Sequence, residues 1–188
     1  LEIYDGNQWT GILATSPDQQ TGGTRMVMGG GLHPGAGGSN MLYVDVTSTG
    51  GSQNFGDYAA GSYTYSQQSG ASRTRGIFAG GYRNNIEYIT ISSTGDGINF
   101  GDKIDYVYST SMAYCSNSTR MLTMNGYNNP SGSGTWTGVN QIQKIEIGTL
   151  GNSTDFGNTK TSDWFLAAVA SPTRAVFGNA SATLQYVN

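Results

Sequence analysis

Charge is scarce in this chain. Only 11% of its 188 residues are Asp, Glu, Lys or Arg, and the 12 acidic and 9 basic residues leave a formal net charge of −3. With no basic run, nucleic acid is not an expected partner. No segment approaches the ~20 consecutive apolar residues of a membrane-spanning helix, so membrane insertion is not expected either. The single cysteine, Cys115, excludes an internal disulfide and a cysteine-based zinc cluster. The single histidine, His33, sits in a Gly-Pro loop with no sequence neighbour that suggests a triad or a metal site. Phosphate-binding glycine loops in a strand-to-helix context are missing. No cofactor is expected. The chain opens on Leu1, not Met, as expected of a fragment or a processed product, for example the C-terminal part of a longer chain.

What is abundant points one way. There are 29 Gly and 12 Tyr, alongside many Ser, Thr and Asn. Gly, Ser, Thr and Asn disfavour helix interiors but suit turns. The aromatic and β-branched residues suit short strands and are too many for a simply disordered chain.

The strongest signal is an internal repeat. Four Thr-Arg pairs occur, at Thr24-Arg25, Thr74-Arg75, Thr119-Arg120 and Thr173-Arg174, with the arginines 50, 45 and 54 residues apart. Each opens an apolar stretch that ends at Gly or Asn. A second, alternating stretch follows from Met41, Ile86, Ile142 and Thr183, the pattern of a half-buried strand. A third element reads NFGD from Asn54, NFGD from Asn99 and DFGN from Asp155, and three residues always separate it from the second. A fourth leads into the next Thr-Arg. Four short strands in a repeat of ~45–50 residues match a propeller blade.

The ends of the chain share this register. Gly56 and Gly101 each precede the next repeat arginine by 19 residues, and counting 19 back from Arg25 reaches Gly6, followed by Asn7. The N-terminus thus carries the half-repeat that the C-terminus lacks. The expectation is an all-β, four-bladed propeller in one domain. Its blades span about 24–73, 74–118 and 119–172, with a composite of 173–188 plus 1–23 closed by strands from both termini. An open solenoid and a sandwich of hairpins are the competing architectures.

Residues repeated in every blade read as scaffold. Arg25, Arg75, Arg120 and Arg174 form either a ring of binding arginines or, as preferred, a set that pairs with acids such as Asp57 and Asp102 or caps backbone carbonyls. Phe55, Phe100 and Phe156 read as packing between blades. Function is expected where the copies differ, in the loops between first and second elements: 31–40, 82–85, 127–140 and 179–182. Their ligand-binding candidates are His33, Tyr82, Arg83, Tyr127 and Trp136. Aromatics among Asn, Ser and Gly make a contact surface suited to sugar rings or protein. For Trp136, a loop folded on its own scaffold or a neighbouring subunit stays open as an alternative. No catalytic residues are assigned, and the chain is not expected to be an enzyme, although a carboxylate pair for glycoside hydrolysis needs only spatial proximity.

The segment from Arg75 to Asp102 resembles the kelch-like repeats of tailed-bacteriophage virion proteins. There an Arg-Gly-aromatic-Gly-Gly strand is followed by a Tyr-Val-Thr-Ile-like strand, Thr-Gly and Phe-Gly-Asp. The opening residues Leu1 to Trp9 are similar to a segment of phage tail-fibre and tail-tip proteins. The third copy departs from the pattern, with Met124-Asn125-Gly126 at the double glycine. The resemblance implies a virion structural protein, a tail-fibre, tail-tip or head-fibre module that binds a host receptor, cell-surface glycan in particular. It also implies other virion proteins as partners and a homo-oligomer, trimers being common, in which repeated weak contacts give avidity. The alternatives are a purely architectural virion protein and a polysaccharide-degrading enzyme.

Overall fold

A chain this rich in Gly, Ser, Thr and Asn builds no helix: among the described residues every regular element is a strand. The computed structural model describes residues 2–4, 9–11, 24–29, 38–59, 67–80, 84–104, 113–124, 127–128, 137–162, 165–179 and 183–188. The first sheet contains β3 (Arg25–Gly29), β4 (Asn40–Asp45) and β5 (Gln53–Asp57). The second is a four-stranded meander of β6 (Gln67–Ala71), β7 (Arg75–Gly80), β8 (Asn85–Thr90) and β9 (Ile98–Asp102). The third contains β10 (Tyr114–Ser116), β11 (Arg120–Met124), β14 (Gln141–Glu146) and β15 (Thr154–Asn158). A two-stranded ribbon, β12 (Tyr127–Asn128) with β13 (Thr137–Gly138), projects from its β11–β14 connection. The fourth sheet contains β16 (Phe165–Ala170), β17 (Ala175–Asn179) and β18 (Leu184–Val187). All pairings are antiparallel.

The Thr-Arg pairs mark hairpin turns, not sheet boundaries. Ser72, Asn117 and Ser171 each donate their amide to the carbonyl of the repeat arginine three residues on. Their side-chain oxygens in turn accept the amides of the following Thr and Arg. Ser and Asn favour such local bonds. Each of these sheets therefore starts one strand earlier than a boundary drawn at Thr-Arg: β6, β10 and β16 belong with the arginine strand that follows them.

Successive sheets pack face to face. The first strands lie side by side, β6 against β10 and β10 against β16. Three apolar clusters fill the spaces between sheets. Met41, Phe55 and Tyr58 of the first meet Phe78 and Ile89 of the second. Ile77, Ile86 and Phe100 meet Met121, Ile145 and Ile147. Leu122, Met124 and Ile142 meet Ala175 and Phe177. Phe55 and Phe100 are thus inter-sheet packing residues, as expected, while Phe156 is only partly buried. Burying such apolar area is the main favourable term in holding the sheets together, at about 25 cal/mol per Å².

Three sets of hydrogen bonds tie the seams. In the first set, the turn between one sheet's second and third repeat elements binds the outer strand of the preceding sheet. Gly95 and Gly97 donate to the Phe55 and Asp57 carbonyls, and Gly151 and Ser153 donate to those of Phe100 and Asp102. The intervening Asp96 and Asn152 side chains accept the Asp57 and Asp102 amides at 2.9 and 3.0 Å. In the second set, a buried acceptor caps the amide just beyond the outer strand: Glu87 for Ala59, Gln143 for Ile104 and Gln185 for Lys160. In the third, Arg25 and Arg75 donate to the Ile91 and Ile147 carbonyls of the next sheet at 3.2 and 2.7 Å. In the second and third copies the three-residue gap holds the capping side chain and the second donor of the first set.

At the chain's start, β1 (Glu2–Tyr4) pairs with β2 (Trp9–Gly11). The expected pairing of the N-terminal segment with the last strand is not among the described pairs; β18 pairs with β17.

At Gly56 and Gly101, both at φ 155, the backbone of one sheet lies close against a turn of the next. A Cβ on Gly101 would lie 2.4 Å from the Gly151 carbonyl oxygen, and one on Gly56 2.2 Å from that of Gly95. Gly101→Ala should therefore destabilise the chain by about 3 kcal/mol, from strain and the broken seam bonds. Urea unfolding beside a Gly148→Ala control, where a Cβ meets nothing within 4 Å, checks this; equal stability of the two variants contradicts it.

Candidate functional site

The strand registers bring the unequal loops to one end of their sheets. The β3–β4 pair ends at Gly29 opposite Met41, β7–β8 at Ala79 opposite Ile86, β11–β14 at Met124 opposite Ile142, and β17–β18 at Gly178 opposite Leu184. In each case the connection leaves at the end away from the Thr-Arg turn. In the third connection Tyr127 opens β12 and pairs opposite Gly138 of β13. This ribbon rests on the region after β15: a Cβ on Gly138 would come 3.0 Å from that of Ser162. Of the other candidates, His33, Tyr82, Arg83 and Trp136 lie outside the described residues.

The repeat arginines serve the scaffold. Arg25 lies over the Tyr43 ring at 4.7 Å, Arg75 over Tyr88 at 4.6 Å and Arg174 over Tyr186 at 5.0 Å. In the first two, the tyrosine of the neighbouring strand supports the guanidinium by cation–π attraction while the far end reaches a carbonyl. Lys144 stands where the tyrosine would be in the third sheet, and Arg120 pairs instead with Glu146 at 3.2 Å. Of the acids proposed as partners, Asp57 accepts the Ser39 hydroxyl at 3.4 Å on its carboxylate, and both Asp57 and Asp102 join the seam through their backbone amides. The tyrosine support was not visible in the repeat because its role depends on register: Tyr43, Tyr88 and Tyr186 face Val27, Ile77 and Val176 across the ladder.

No group of three or more His, Cys, Asp or Glu that could hold a metal occurs among the described residues. Burial pushes the Cys115 thiol up to about 11, away from a reactive thiolate at neutral pH. The Tyr58 phenol is likewise raised, by burial and then by the Glu87 charge. Asp45 goes the other way, held below the usual carboxylate range by the Thr24 hydroxyl and by the Thr47 amide and hydroxyl. It sits at the Thr-Arg end of the first sheet, opposite the loops.

No protein-family model matches the chain, and no curated protein matches it. Solved structures do. The computationally designed Ika4 protein superposes with a TM-score of 0.53 over 87% of this chain and 84% of its own, at 12% identity. BamB from Moraxella catarrhalis gives 0.49 over 79% of this chain at 6% identity, and the match spans only 37% of BamB. The Ika4 likeness concerns the fold alone.

If the arginines are clasps, Arg75→Ala should cost about 2–3 kcal/mol, because it removes a charged hydrogen bond and a cation–π attraction at a part-buried position. Arg174→Ala, on the exposed side chain bonded to Asn188, should cost less than about 1 kcal/mol. Chemical denaturation of both variants distinguishes this from a ligand-binding ring, whose removal would leave stability unchanged.

Proposed function

We propose that the chain is a phage virion module, of the tail-fibre or tail-tip kind, that binds host cell-surface glycan through the loop end of its sheets. The supporting observation is the division of labour between repeated and unequal residues. Repeated Arg, Phe and Gly positions of the first two seams are taken up by the scaffold, as at Arg75, Phe100 and Gly101. The loops that differ all leave from one end. Such a rigid base with adaptable Tyr- and Asn-rich loops suits recognition of a polar, repetitive surface. The resemblance of the Arg75–Asp102 segment to phage virion repeats supplies the setting, and avidity from a homo-oligomer, a trimer for preference, supplies strength.

The finer architecture belongs to the same proposal. The four sheets are the blades of a small propeller, the fourth closed by strands from both termini. Side-by-side first strands and face-to-face sheet packing support it. Gly50 and Ser52 match Gly95 and Gly97 in the repeat, so in a closed ring their amides are tied to the closing strand, and hydrogen exchange at those two amides tests the closure; exchange at peptide rates contradicts it.

For the function, a variant with residues 128–139 replaced by a short Gly-Ser turn should keep its circular dichroism spectrum and lose host-cell adsorption by at least about tenfold, the share expected when a central aromatic anchor is removed. Undiminished adsorption by a folded variant would refute the loop-end reading.

A further inference from the structure

Two seams carry the paired amide ties, and they are built from different residues: Asp96-Gly97 in the first and Asn152-Ser153 in the second. The buried cap beside each turn accounts for the difference at the second residue. In the second seam Gln143 Oε1 accepts the Ser153 hydroxyl at 2.7 Å, and the hydroxyl oxygen accepts the Ile104 amide at 2.9 Å. In the first, Glu87 accepts the Ala59 amide directly at 2.9 Å. Its Oε2 fills the space a side chain would need, for a Cβ on Gly97 would lie 2.4 Å from it. Glycine is therefore imposed at 97 for as long as Glu87 keeps that bond. It follows an aspartate whose carboxylate is fixed by its own seam bond, from the Asp57 amide.

An aspartate followed by glycine is prone to imide formation, because no Cβ shields the attacking amide nitrogen. In that reaction the Gly97 nitrogen would attack Asp96 Cγ. A C–N bond forms, the carboxyl hydroxyl and the amide proton leave together as water, and a cyclic succinimide results. Water then opens the ring at either carbonyl, restoring Asp96 or leaving a β-linked isoaspartate of the same mass. The closed seam blocks the first step at both reacting groups. The Gly97 N–H donates to the Asp57 carbonyl at 2.8 Å, and Asp96 Oδ1 accepts the Asp57 amide at 2.9 Å. Nucleophile and electrophile are thus held on the preceding sheet, whereas attack needs them aligned on each other at ~3–3.5 Å. Opening the two bonds frees both groups together, and Asp96 is exposed, so water for the second step is at hand.

We propose that Asp96-Gly97 is a guarded isomerisation site, inert while the first seam is closed and converted to isoaspartate from the opened seam. The β-linkage inserts a methylene into the backbone between the Gly95 and Gly97 ties, so the two amides no longer match the Phe55 and Asp57 carbonyls. An opening that is otherwise reversible becomes permanent. The second seam lacks this liability because Ser153 carries the side chain that Glu87 forbids at 97. The site belongs to the scaffold and is independent of what the loop end binds.

The test follows isoaspartate at position 96 by peptide mass spectrometry with electron-transfer fragmentation. The full chain is kept at physiological temperature in mildly acidic buffer, either folded or in guanidinium chloride. Formation in the folded chain should be at least about tenfold slower than in the denatured one, and the ratio should equal the hydrogen-exchange protection of the Gly97 amide within about threefold, since one opening controls both. Gly56→Ala, whose Cβ would lie 2.2 Å from the Gly95 carbonyl oxygen and 2.9 Å from the Asp96 nitrogen, should raise the folded-state rate about tenfold. Gly148→Ala should leave it unchanged. Exchange protection of the β7–β8 ladder reports whether the Gly56 variant is folded, and the wild-type comparison stands without it. Equal rates in the folded and denatured chains, a folded rate faster than the Gly97 protection allows, or an unchanged rate in a folded Gly56→Ala variant would each overturn the proposal.

Discussion

Two backbone amides crossing from one sheet to the outer strand of its neighbour hold this structure in register. Gly95 and Gly97, then Gly151 and Ser153, turn the connection after β8 and β14 into a tie on the sheet before. Nothing larger than glycine fits against the tie at Gly56 or Gly101, where an added Cβ would lie within 2.4 Å of a carbonyl oxygen. Buried polar groups must be paired, and here the pairing also sets the distance between sheets. Phe55 and Phe100 can then be covered, and the repeat arginines can reach a carbonyl 66 or 72 residues away in sequence.

Much of this was legible in the sequence because repeats average out local noise. Strand content followed from composition, and the elements at Met41, Ile86 and Ile142 followed from alternation. The packing role of Phe55 and Phe100 followed from their recurrence. Other features were hidden by a limit of pattern reading, which shows that a spacing is constrained but not by what. The three residues before each NFGD-type motif were invariant in number while varying in identity, GSQ, DGI and NST. They make the seam through backbone amides and through the side chains of Asp96, Asn152 and Ser153, whose hydroxyl accepts the Ile104 amide. Glu87, Gln143 and Gln185 also escaped notice. Glu and Gln at a strand position read as solvent-facing, and only the neighbouring sheet turns them into buried caps.

The candidate site was legible in a different sense. Unequal loops on an equal scaffold point to a functional end without identifying its contacts. Tyr127 is placed at the base of a β-ribbon by its register opposite Gly138. Loop side chains are set by their own short-range packing and by whatever they bind, and neither is encoded in a blade pattern. The proposed virion role therefore rests on that division and on resemblance, while the scaffold rests on hydrogen bonds between named atoms.

The seam ties are the claim on which the rest stands, and amide hydrogen exchange measures them directly. Gly95, Gly97, Gly151 and Ser153 lie in connections that would exchange like free peptide if each sheet were independent. The inter-sheet bonds predict protection of these four amides as strong as that of the β7 and β8 ladder between Gly76 and Ile89. Exchange at unprotected peptide rates at Gly95 and Gly151, with the strands themselves protected, would contradict the account.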